Sequence, residues 1–256
     1  MLANRRALLV DRLLEWALAD PRVTGAAQTG SAATGDEDNW SDIDLFFGVT
    51  DAAPVAVLED VTTFLYADHD AVHHFDITAG AAVYRAFLLT GLLEIDIGLA
   101  PADEFRSHGG APFRVIFGEP RPPSPDTGPD FDHLAGLLWH HVLHARTSIE
   151  RNRLWQAEYW ISVARNHILT LAAHRHGLPT MYAKGADALP GAMTVPLEQT
   201  LVRTLQRPEL ERALRHLGAA AIHELTHHDP DLAHRLQTSL SDAADVTTSP
   251  NDGGSG

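Results

Sequence analysis

Apolar residues recur at helical spacing through MLANRRALLVDRLLEWALAD, where Leu2, Leu9, Leu13, Leu14 and Trp16 fall on one face, so the chain opens on an amphipathic helix. The period then changes. RVTGAAQTG (22–30) reads as a short strand ending in a glycine turn, DIDLFFGV (42–49) as a strand, and PVAVLEDVTTFLYA (54–67) as a helix. AVHHFDIT (71–78), VYRAFLLT (83–90) and LLEIDIGLA (92–100) read as successive strands, the last two joined tightly at Thr90-Gly91. PADEF begins a helical turn, and FRVIFG (113–118) is a further strand or sheet edge. Residues 1–120 therefore form a mixed β-sheet with helices.

The stretch EPRPPSPDTGPD (119–130) holds five prolines and cannot be regular structure, which makes it the clearest domain boundary. Beyond it the pattern is helical throughout: FDHLAGLLWHHVLHARTSIERNRL, WQAEYWISVARNHILTLAAHRHG, VPLEQTLVRTL and PELERALRHLGAAAIHELTHH. Gly177 and Pro179 stop the second of these. The expected fold class is α+β: a mixed-sheet domain over 1–120, a helical bundle over 128–238, and a small, polar, disordered tail over 239–256.

Composition narrows the setting. The chain has 256 residues, 45% of them hydrophobic, enough for a substantial core, and no apolar run near the ~20 residues that span a bilayer. Arg5, Arg6, Asp11, Arg12 and Glu15 interrupt the opening segment too often for a signal peptide. The absence of cysteine excludes disulfides, thiolate metal sites and a cysteine nucleophile. A cytoplasmic protein without a membrane partner is expected. The net charge of −15 and pI near 5.4 argue against nucleic acid as the main partner, because a phosphodiester-gripping surface is basic. A cationic small molecule or metal-neutralised phosphates fit better.

The chemistry concentrates in GSAATGDEDNWSDIDLFFGV (30–49), where residues 36–44 hold five acids. Alternation in a strand sends Asp42 and Asp44 to one face, and two carboxylates on an otherwise apolar strand are costly unless a cation or partner relieves them. Solvated acids at a strand end are the plain alternative. Oxygen-only ligands select a hard cation such as Mg²⁺. LLEIDIGLA adds Glu94 and Asp96, again on one face, and Asp96 sits deeper in the apolar run. A Gly-Ser turn at Gly30-Ser31 offers amides and a hydroxyl to a phosphate. His223-Glu224-Leu225-Thr226-His227 matches the HExxH zinc pattern, but Pro230 stands where the extended motif needs glycine, and 16 histidines make a chance match ordinary. His216, His223 and His227 are read instead as a polar helix face. The pairs His140/His144 and His174/His176 have the same standing.

A Gly-Ser turn, an Asp-x-Asp about ten residues on, and an acid on a following strand resemble the DNA polymerase β-like nucleotidyltransferase superfamily. Within it the chain looks most like the aminoglycoside and lincosamide nucleotidyltransferases, which carry a helical domain after the catalytic one. WQAEYWISVARNHIL and AKGADALP (183–190) look like further family features. The resemblance implies transfer of a nucleoside monophosphate, AMP first, from a nucleoside triphosphate to a hydroxyl of a small cationic molecule such as an aminoglycoside-like antibiotic, and with it a role in antibiotic resistance. It implies about two Mg²⁺ ions on Asp42, Asp44 and Asp96, with Asp96 or Glu94 deprotonating the acceptor. Gly30, Ser31, Ser41 and Lys184 would bind the nucleotide, although Lys184 reads equally well as a solvated loop lysine. The acceptor would meet Glu150, Trp155, Glu158, Tyr159 and Asp187, for which core aromatics and solvated glutamates are the plain alternative. The site is expected between the two domains, in a monomer or homodimer.

Two other readings stand beside this one. An antitoxin-type nucleotidyltransferase would act on, or merely bind, a helical protein partner, but those proteins are short single domains. A degenerate nucleotide-binding module would have no reason to retain its acids.

Overall fold

The computed structural model describes residues 2–50 and 54–244, which divide into two units, one up to Thr127 and one from Gly128. In the first, helix α1 (Leu2–Ala19) leads into β1 (Val23–Gln28), a single turn of helix α2 (Gly30–Thr34) and β2 (Ile43–Val49). Helix α3 (Pro54–Asp68) precedes three consecutive strands, β3 (Ala71–Ala79), β4 (Ala82–Leu89) and β5 (Leu93–Pro101), and β6 (Arg114–Phe117) closes the unit. The six strands lie in the order β3-β4-β5-β2-β1-β6. All pairs are antiparallel except β2 with β5, so the sheet is mixed. Strands β3 to β5 form a meander, and the turn into β5 uses left-handed backbone at Gly91 and Leu92.

Period-two alternation gives this sheet two unlike faces. Ile43, Leu45 and Phe47 of β2, Ile95, Ile97 and Leu99 of β5 and Phe87 of β4 are buried in one cluster with Leu9 and Leu13 of α1 and Val57, Val61 and Leu65 of α3. Arg85, buried on the same face, is held by Asp76, Glu59 and the Thr62 hydroxyl, which satisfies its charge. The opposite face buries only a small apolar group, Ala27, Phe46, Ala82, Ala100 and Phe105. Helices of this unit cover one face, and they leave the other for chemistry.

The second unit contains α4 (Phe131–Glu150), α5 (Leu154–Arg175), the short α6 (Gly191–Glu198), α7 (Arg207–His228) and α8 (Pro230–Ala244). Leu138, Val142, Ile161, Ile168, Leu214, Leu217 and Leu240 share its core. Asp130 caps α4 by accepting from the His133 amide, and α4 stops before Asn152, whose φ of 52° leaves the helical region.

Two expectations differ from the structure here. VPLEQTLVRTL leaves the helix after Glu198, because side chains take over the carbonyls that a helix would use internally. Arg165 donates to the Thr200 carbonyl, and Arg212 donates to those of Gln199 and Leu201. The tail expected to be disordered from Ser239 is helical as far as Ala244. Ala233, Leu240, Ala243 and Ala244 recur at helical spacing and bury a stripe against the core, and the outward positions are polar. Residues 245–256 lie outside the described residues. No helix among the described residues is long and apolar enough to cross a membrane.

Candidate metal and nucleotide site

Parallel pairing sets Asp44 of β2 directly opposite Asp96 of β5. Both face away from the helix-covered core, as does Asp42, one residue before β2 and in the same alternation. One carboxylate oxygen from each of Asp42, Asp44 and Asp96 lies within 4.8 Å of the others, and all three residues are half-buried. Two unit charges at that separation repel by about 3 kcal/mol at an effective dielectric constant near 20. A cation held among the three would relieve that repulsion. The donors are all oxygens, which suits a hard divalent ion such as Mg²⁺ and excludes a thiophilic one. Among the described residues this is the one group of three or more histidines and acids placed to hold a metal.

Gly30 is fitted to this cluster. Its φ is +57°, and a Cβ built there would lie 2.0 Å from Asp44 Oδ2. The neighbouring Thr29 amide donates to the Asp44 carbonyl at 3.1 Å, so the turn is pinned against the acid it must clear. Glycine is needed at this position for backbone conformation and for space alike. Ser31 is half-buried in α2, and its carbonyl accepts from the Asp36 amide and the Thr34 hydroxyl. The Ser41 hydroxyl donates to Asp38 and accepts from the Asp38 amide, so it closes the acidic loop on itself. Glu94 is exposed and outside the three-acid group, on the far side of Asp96 from Gly98.

Two neighbours were not singled out in the sequence. Tyr84 of β4 sits opposite Gly98, and its phenol is pushed up in pKa by burial and then by the Asp44 charge. A Cβ on Gly98 would meet the Phe46 ring at 2.5 Å and the Tyr84 ring at 2.7 Å, so the glycine lets these two rings close over it, their centroids 5.8 Å apart. Nothing in a lone sequence pairs residue 84 with residue 98; only the strand register does.

No family model matches the chain, and no curated protein matches it significantly. Solved structures do. An aminoglycoside 6-adenyltransferase from Bacillus subtilis is 17% identical, with a TM-score of 0.38, over 91% of this chain and 96% of that one. A nucleotidyltransferase-like protein from Exiguobacterium sibiricum is 13% identical, with a TM-score of 0.37, over 90% of this chain and 86% of that one.

The other sequence candidates belong to the second unit. Trp155 and Tyr159 are 77% and 55% exposed, so they are surface aromatics and not core. Glu158 accepts from the Ser162 hydroxyl, which in turn accepts from Arg165. Glu150 is engaged by Arg207 at 2.9 Å. Lys184 and Asp187 are exposed, in or beside short 3₁₀ turns.

The HExxH stretch lies on α7. Its Glu224 is 1% exposed and bound by Arg175 at 3.0 Å and His228 at 3.0 Å. A carboxylate so engaged is not placed as the base of a zinc site. His216 and His223 line a cavity of about 280 Å³ with Met193 and Leu197.

Proposed function

We propose that this protein is a Mg²⁺-dependent nucleotidyltransferase that moves a nucleoside monophosphate, AMP for preference, from a nucleoside triphosphate to a hydroxyl of a small cationic acceptor. The observation that carries this reading is the register-matched pair Asp44 and Asp96 with Asp42 beside them, on the one sheet face that the helices of the first unit leave uncovered. Bound there, divalent metal would supply charge neutralisation for the triphosphate and for the phosphorus under attack. Asp42 and Asp44 would hold it. The turn at Gly30 and Ser31, running behind Asp44, would seat the phosphates. Asp96 would accept the proton of the acceptor hydroxyl as that oxygen bonds to the α-phosphorus and pyrophosphate leaves with the electrons of the broken P–O bond. Glu94, exposed and outside the cluster, is not the base in this scheme.

Label transfer from α-³²P-labelled nucleoside triphosphates with Mg²⁺, run against a panel of hydroxylated amines, tests the proposal. Product should form with at least one acceptor, and Asp44→Asn and Asp96→Asn should each lower the rate by about 10³-fold or more, in line with losing a principal charge-stabilising or proton-accepting group. Product formation that persists undiminished in both variants refutes it.

A further inference from the structure

The acid face continues past the carboxylates into an apolar shelf. Strand pairing lays out three rows across four strands. Asp44 lies opposite Asp96, Asp96 opposite Ala86, and Ala86 opposite Phe75. Phe46, Gly98, Tyr84 and Ile77 form the next row in the same way, and Glu94 and Leu88 are paired in the row on the other side. All of these side chains point to the face that carries the acids. Phe75, Ile77 and Leu88 are nonetheless 53%, 45% and 43% exposed. Three large apolar residues on adjoining positions of an outer sheet face form a contiguous patch, and such patches mark binding surfaces.

Leu88 lies on the strand beside Asp96, and Phe75 and Ile77 lie two strands from it, about 10 Å at ordinary strand spacing. Only the methyl of Ala86 intervenes in that row. The distance is the length of a small molecule that keeps a hydroxyl at the acids and lays a ring or alkyl arm on Phe75, Ile77 and Leu88. Glu94, opposite Leu88 and exposed, offers a carboxylate beside that path.

Resting on the nucleotidyl-transfer reading above, we infer that the acceptor is amphipathic, a hydroxylated amine with an apolar arm, and that Phe75, Ile77 and Leu88 are its specificity-determining surface. A wholly polar polyamine would leave this shelf wet. An apolar arm is excluded from water there, and its contribution is uniform binding, felt in acceptor affinity and KM more than in kcat. Glu94 pairs with the ammonium.

Calorimetry on the full chain tests this with Mg²⁺ and α,β-methylene-ATP, whose P–C–P linkage cannot release pyrophosphate. The probes are 2-amino-1-phenylethanol and ethanolamine, which share the amino alcohol and differ in the arm. The phenyl compound should bind about tenfold more tightly or better, the discrimination an apolar pocket gives for a few carbons. Phe75→Ser combined with Leu88→Gln should bring the two probes within about twofold, and Phe75→Leu should keep most of the preference. These positions are exposed, and an unchanged thermal midpoint will show that the fold survives.

No phenyl preference in the unmodified protein, or a preference the double variant retains, overturns the inference. It is equally overturned if sedimentation shows a dimer that the double variant dissociates without changing probe affinity, since a second copy would then cover the shelf. Failure of the nucleotide analogue to bind with Mg²⁺ takes down the nucleotidyl-transfer reading itself. Analogue binding without a phenyl preference removes only the shelf.

Discussion

Gly30 offers a clean separation of backbone strain from loss of site geometry. Alanine at this position takes on two costs. The first is left-handed backbone at φ +57°, about 1 kcal/mol for a residue with a Cβ. The second is steric: the added Cβ would lie 2.0 Å from Asp44 Oδ2, where a Cβ contact below 3.0 Å is essentially never tolerated, so the carboxylate or the turn must move by about 1 Å or more. A misplacement of that size costs on the order of 10²-fold in rate where geometry is demanding. Gly35, five residues on, is the control. It has φ +80°, and a Cβ added there would meet nothing within 4 Å, so Gly35→Ala bears the backbone cost alone. Both variants should lose about 1 kcal/mol or somewhat more in thermal or urea unfolding. Only Gly30→Ala should weaken Mn²⁺ binding, read by electron paramagnetic resonance as free ion, and with it label transfer. Equal Mn²⁺ affinity in the two variants would show that Gly30 is not fitted to Asp44.

Three further outcomes follow from packing and charge. His141 is 7% exposed, its Nδ1 lacks a hydrogen-bond partner, and burial holds its pKa down to about 4 against an ordinary 6.5. Unfolded chains therefore take up a proton at this site from about pH 6.5 downward while the folded protein does not until about 4, so stability should fall across that window by up to about 3 kcal/mol. His141→Phe should flatten the dependence of thermal midpoint on pH, and an unchanged slope contradicts the assignment. Arg175→Met should destabilise by about 2 kcal/mol or more in urea unfolding, because it leaves the buried Glu224 carboxylate with His228 as its one remaining ionic partner, whereas Glu224→Gln should cost less, leaving a cation that already has partial access to water. The reverse order would refute that account. Gly98→Ala should cost about 1–3 kcal/mol by forcing Phe46 and Tyr84 apart, seen as a lowered midpoint, and an unaltered midpoint would mean the rings are free to yield.

The sheet was readable from sequence because its strands carry strong period-two signals. IDLFF and LEIDI each place acids on one parity and branched aliphatics on the other, which is enough to separate a core face from an acid face before any pairing is known. Pairing itself is not encoded at that level. That Asp44 stands opposite Asp96 and Glu94 opposite Leu88 follows from the parallel β2–β5 and antiparallel β4–β5 registers, and these are long-range. The same gap hid Tyr84 and the shelf at Phe75. Helix boundaries failed where side-chain donors replaced internal hydrogen bonds, as at Thr200. The last helix was missed because its stripe is made of alanines and two or three leucines, too weak a signal against a polar background. Trp155 and Tyr159 show the opposite limit: spacing placed them on one helix surface but could not say whether that surface is covered.

Charge ties the two halves of the functional reading together. Of the formal charge of −15, the first unit carries −12, with 8 basic residues against 20 acidic, and the second carries −3, with 11 against 14. The guanidinium groups of Arg5, Arg6, Arg12, Arg22, Arg85, Arg106 and Arg114 all bond to protein groups within the first unit. A triphosphate approaching this face on its own would meet a field of its own sign, and the chain supplies few cations to offset it. Divalent metal, as proposed, would reverse that. Bound by Asp42 and Asp44 beside Asp96, it would convert the most repulsive spot on the face into the most attractive one for phosphate, so nucleotide and metal should bind as coupled ligands. Glu94, exposed and two residues before Asp96 on the same strand face, would then be uncompensated by phosphate and would favour an acceptor that brings a positive charge. On the proposed reading, a strongly acidic first unit suits a donor that arrives with metal and an acceptor that is an amine.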